Sequence, residues 1–104
     1  MTIATTTVTN SATTVYTSSG STAVTYLTLT NETAGAISVD IHVVPSGDAV
    51  ANQNLVAKSL DIAATDTYQL YAGGEKLLLS NSDVISVTAN TATGIYAVAS
   101  YTSI

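Results

Sequence analysis

The chain has 104 residues, a formal net charge of −5 and only 9% charged residues, so it is sized for one domain and is poor in surface charge. Its only basic side chains are Lys58 and Lys76, too few to neutralise a nucleic-acid backbone or to hold an anionic membrane. With no cysteine it has no disulfides, thiolate nucleophiles or Cys-based metal sites, and 31 Thr and Ser residues favour pleated, hydroxyl-covered strands over charged helices.

The N-terminal segment, Thr2 to Thr17, is Thr-rich and weakly patterned, with Ile3, Val8 and Val15 as its aliphatic anchors beyond Ala. It reads as one or two short strands forming an arm (residues 1–17) ahead of a body at 18–104, the whole being a single domain. Deleting Thr2 to Thr9 is therefore expected to leave the fold intact and to weaken assembly. Ser18 to Ser21 is a turn. Thr25 to Asn31 alternates, with Leu27 and Leu29 on one face and Tyr26 and Thr28 on the other.

Asn31 to Gly35 is a hairpin connection. The clearest strand follows: Ile37, Val39, Ile41 and Val43 face one way, and Ser38, Asp40, His42 and Val44 the other. Pro45-Ser46-Gly47-Asp48 ends it. Ala49 to Asn54 is a polar connection with room for a short helical turn. Leu55 to Ile62 is a strand with Leu60 and Ile62 inward. After the turn at 63–66, Thr67 to Tyr71 alternates through Tyr68 and Leu70, and Gly73-Gly74 breaks the chain. Lys76 to Leu79 is short and apolar. Val84 to Ala89 alternates through Ile85 and Val87. Ile95 to Thr102 places Tyr96, Val98 and Ser100 opposite Ala97, Ala99 and Tyr101.

Eight or so short strands with a turn signal about every 8–12 residues predict an all-β fold, an antiparallel β-sandwich that is Ig-like or jelly-roll-like. No stretch is long and apolar enough to span a membrane, and the start of the chain has no secretory pattern, so synthesis in a cytoplasm without export is expected.

Chemistry-bearing residues are sparse. His42 is the sole histidine and reads as an exposed surface imidazole; one His without Cys is a poor metal set. The carboxylates Glu32, Asp40, Asp48, Asp61, Asp66, Glu75 and Asp83 fall mostly in or beside turns, where they bond to backbone N–H groups. No Gly-x-Ser-x-Gly elbow is present, and Gly73-Gly74-Glu75-Lys76 lacks the spacing of a phosphate loop. No enzyme, cofactor or metal site is expected. The aromatics are all Tyr. Of these, Tyr16, Tyr26, Tyr71, Tyr96 and Tyr101 are candidate interface residues, because a Tyr ring can be buried while its hydroxyl stays wet.

Several segments stand in a telling order: Asn10-Ser11-Ala12-Thr13-Thr14-Val15-Tyr16-Thr17-Ser18, then Val43-Val44-Pro45-Ser46-Gly47 and Leu60-Asp61-Ile62-Ala63-Ala64-Thr65-Asp66-Thr67-Tyr68. Lys76-Leu77-Leu78-Leu79-Ser80-Asn81-Ser82-Asp83-Val84-Ile85 and a closing Ala99-Ser100-Tyr101-Thr102 complete it. From about Asn10 to the end, this order resembles small virion structural proteins of tailed bacteriophages, of the marine and cyanobacterial phage type. The resemblance implies a non-enzymatic, multi-copy virion component. A head decoration or cement protein, self-associated as a trimer on the major capsid protein, is the first expectation; a neck, tail, baseplate or fibre-base component is the second. From the residues alone, a carbohydrate-binding module stays open as a different class, and it would show two or three Tyr on one exposed face.

Overall fold

The computed structural model describes residues 2–70 and 76–104. Nine strands form two antiparallel sheets: β1 (Thr2–Val8), β2 (Thr13–Thr17), β3 (Thr22–Asn31), β4 (Ile37–Val44), β5 (Leu55–Ile62), β6 (Thr67–Leu70), β7 (Leu77–Leu79), β8 (Val84–Ala89) and β9 (Ile95–Ser103). Asn52–Asn54 makes one 3-10 turn, and no α-helix occurs among the described residues. The first sheet runs β1-β9-β3-β6, with β7 also on β3; the second runs β2-β8-β4-β5.

That order decides between the two sandwich types. With β7 set aside, the first strand pairs with the last (β1–β9) and the second with the last but one (β2–β8). The third pairs with the sixth (β3–β6) and the fourth with the fifth (β4–β5). Successive pairs alternate between the sheets. A long two-stranded ribbon folded over itself in this way is a jelly roll. β7 is an addition to it: the ten-residue β3 takes β6 along Leu27–Thr30 and β7 along Thr22–Val24.

The core lies between the sheets. Leu27, Leu29 and Val24 of β3, Ile37, Val39 and Ile41 of β4, Ile85 and Val87 of β8, and Ile95, Ala97 and Ala99 of β9 are all buried. Each large aliphatic side chain here contributes about 1.5–3 kcal/mol by leaving water.

The N-terminal seventeen residues do not stand apart as an arm. Val8 and Val15 are buried in the common core, and the segment supplies one strand to each sheet. Its weak pattern has a physical cause. Its inward positions include small or hydroxylated residues, and Thr6 settles its inward hydroxyl by donating to the Val15 carbonyl. Two bulges, one in this segment and one in β3, break the alternation further. A register break between Thr14 and Tyr16 leaves Val15 and Tyr16 both buried, and one between Val24 and Tyr26 makes Thr25 the extra residue. Val24 and Leu27 then face inward three residues apart, so β3 begins at Thr22 rather than Thr25.

Asn31 ties the sheets together and is fully buried. Its Nδ2 donates to the carbonyls of Gly35 (2.8 Å) and Ile62 (3.0 Å), the latter on β5 of the opposite sheet. Its Oδ1 accepts from the Thr33 backbone N–H (2.9 Å) and from the Thr33 hydroxyl (2.7 Å).

Candidate interaction surfaces

Three of the carboxylates bond to backbone N–H groups at turns and kinks. Asp83 accepts from Ser46 N–H at 2.9 Å and Ser80 N–H at 2.8 Å, linking two turns. Asp66 caps Thr67 N–H at 2.8 Å. Asp40 accepts from the N–H of Ser59 at 2.7 Å, which holds the left-handed kink (φ 52°) inside β5. Among the described residues no three His, Asp or Glu side chains gather as metal ligands would.

His42 is not the surface imidazole its strand pattern suggests. It is 7% exposed, set between Leu55 of β5 and Ser86 of β8, while the 3-10 turn of the β4–β5 connection packs on β4. A connection that doubles back over its own strand buries a position that alternation alone would leave wet. The ring's Nδ1 is buried without a hydrogen-bond partner. Replacing an imperfectly paired polar group by an apolar one of similar size costs little. His42→Leu is therefore expected to leave stability within about 1 kcal/mol of the parent, or to raise it. Urea titration checks this, and a loss well beyond that range would mean the imidazole makes a bond the fold depends on.

The tyrosines scatter. Tyr16 is 8% exposed and stacks on Tyr101, with ring centroids 4.1 Å apart and planes at 28°, so this pair closes the interior and is not an exposed platform. Tyr71 lies outside the described residues, as do Gly73 and Gly74. Tyr26 and Tyr96 share the outer face of the first sheet. Tyr26 sits beside Ser100 and Tyr96 beside Thr30, four residues apart along β3, about 13 Å at strand rise. Tyr68 lies on the other side, opposite Leu29 at the rim of the core. No two exposed rings stack among the described residues.

What the register does bring together is an uncharged face. On the outer side of the first sheet, β1 shows Ile3, Thr5 and Thr7, and β9 shows Tyr96, Val98 and Thr102 around a buried Ser100. β3 adds Tyr26, Thr28, Thr30 and a buried Ala23; Thr67 and Gln69 of β6 and Leu78 of β7 complete it. None of these fourteen side chains is charged. Ile3, Leu78 and Tyr96 are exposed, at 63, 66 and 42%. A shallow groove of about 200 Å³ runs along β1 and β9, bordered by Thr5, Thr7, Tyr96 and Val98. The second sheet differs: its outer side carries Asp40 and Asp61 at positions beside Thr88 and Ser38.

Sequence reasoning aimed at Tyr passed over this face, although a signal for it is present. The first charged side chain in the chain is Glu32, so all of β1, β2 and β3 are written without one. Comparison with protein-family models, with curated proteins and with solved structures finds nothing that matches this chain.

Proposed function

We propose that this chain is a non-enzymatic structural subunit of a tailed-phage particle, present in many copies, with head decoration or cementing of the capsid as its leading role. The observation that carries the reading is the uncharged outer face of the first sheet, rich in hydroxyls and exposed apolar groups. Soluble domains keep contiguous faces of this kind for contact with other proteins. The jelly roll is a scaffold on which capsid and lectin domains are both built, so the fold is compatible with the role and does not select it. The order of segments quoted above supplies the phage context.

The neck, tail or baseplate is the alternative location for the same structural role. A glycan-binding module is the second class, and what favours it is that Tyr26 and Tyr96 look out from one face.

The test is a cryo-electron reconstruction of the particle whose genome encodes this chain. The expected result is density for the jelly roll repeated across the head lattice. Density confined to the neck, tail or baseplate moves the site of action and keeps the structural role. No density and no peptide of this chain in purified particles would overturn both. Loss of glycan-array binding on Tyr96→Ala, with particle stability unchanged, would establish the second class.

A further inference from the structure

The two sheets end in edge strands, and all but one of these edges are blunted. β5 carries Lys58, breaks register twice against β4 and is kinked at Ser59. β2 is five residues long and bulged, β6 has four residues and β7 three. β1 is different. Its seven residues run against β9 from Thr2↔Tyr101 to Val8↔Ile95 without a register shift, and they include no charge, Pro or Gly. Half of its backbone hydrogen-bonding groups therefore face outward along an unbulged edge that has no partner strand among the described residues. Sheets that stay single guard such edges with charges, prolines, bulges or short strands.

We propose that β1 pairs antiparallel with β1 of a second copy about a two-fold axis, so that the first sheet continues across the dimer. The occupant is a second copy for two reasons. The strand is complementary to itself: with Thr5 on the axis, Thr5 meets Thr5 and Ile3 meets Thr7, pairs that suit an antiparallel seam and oppose no like charges. Charge also selects this side. Each copy carries −5, and residues 2–17, which supply both β1 and the β2 edge packed beneath it, contribute no charged side chain. The side formed by these two edges is about 24 Å long and about 20 Å deep, which gives roughly 1,000 Å² over both copies, the lower end for a specific interface. A two-fold seam joins copies in pairs, so a trimer would have to form through another surface.

This inference rests on the reading of the chain as a self-assembling part and narrows it to one contact. Thr5 is exposed, so its replacement spares the core. In sedimentation velocity at about 100 µM, the wild type is expected to run as a dimer, the range suited to a minimal interface. Thr5→Lys and Thr5→Glu should each run as monomers with unchanged melting, the apparent dissociation constant rising at least about tenfold. Mixing the two variants in equal amounts should restore the dimer, because opposite charges then meet on the axis. A monomeric wild type, a dimer that survives Thr5→Glu, or a mixture that stays monomeric would each overturn the seam. None of these results bears on whether the chain is found in purified particles, so failure of the seam and failure of the particle role are read separately.

Discussion

Asn31→Ala is expected to lower stability by about 3–4 kcal/mol, a large share of the roughly 5–15 kcal/mol that holds a domain of this size. The side chain makes four hydrogen bonds, two as donor and two as acceptor, at a fully buried site. Truncation strands the Ile62 carbonyl at a buried position on one sheet and removes the acceptor of the Thr33 N–H on the hairpin of the other. Each such bond is worth about 1 kcal/mol net, and the orphaned groups add a desolvation cost. Asn31→Asp separates the parts. It keeps the two acceptor bonds to Thr33 and turns a carboxylate toward two carbonyl oxygens. Burial and those carbonyls raise the folded-state pKa of the new acid above the usual value of about 4. The defect should therefore be fully developed only above this raised folded-state pKa and should shrink, against wild type at the same pH, as the solution is acidified through it. Urea titrations at two pH values measure this. A loss below about 1 kcal/mol for Asn31→Ala would mean the sheets are held together by apolar packing alone.

Deleting Thr2 to Thr9 should abolish cooperative folding. Composition alone suggests the opposite, since the segment reads as an appendage. In the structure Val8 is fully buried opposite Ile95, and its loss alone removes about 1.5–3 kcal/mol. The deletion also strips β9 of a partner along seven residue pairs and removes the Thr9 carbonyl that accepts from Ala89 N–H. Ala97 and Ala99, small and fully buried, would then face water from the flank. Near-ultraviolet circular dichroism of the six tyrosines during heating gives the readout. A sharp melt close to that of the full chain would show that β1 is dispensable, and the seam proposed for it would then be the strand's main use.

Much of the architecture was legible in the residues. Alternation through Ile37, Val39 and Ile41, and again through Ile85 and Val87, marks β4 and β8 as strands with one buried face, and all five side chains are buried in the core. The choice between Ig-like and jelly-roll order was not legible, because it depends on which strands meet across long stretches of chain, and periodicity carries no such information. The bulges at Val15 and Thr25 defeated alternation locally, since one extra residue turns a two-residue period into three. His42 escaped for a related reason: its burial is produced by a connection that folds back over the strand. Tyr16 was expected at an interface and stacks inside with Tyr101, a contact between residues 85 positions apart in the chain.

The nested pairing of strands also sets an order of events. β4 and β5 are joined by a short connection, Pro45 to Asn54, whereas β1 and β9 stand at opposite ends of the described chain. Closing a loop costs more entropy as it lengthens, so the inner pair is expected to meet first and the outer pair last. Such dominance by distant pairings places folding in the range of about milliseconds to seconds. During synthesis β1 leaves the ribosome well before β9 and lacks its partner strand until β9 follows it. An edge that exists only once β9 is in place would confine the proposed pairing of β1 to chains whose first sheet has already closed.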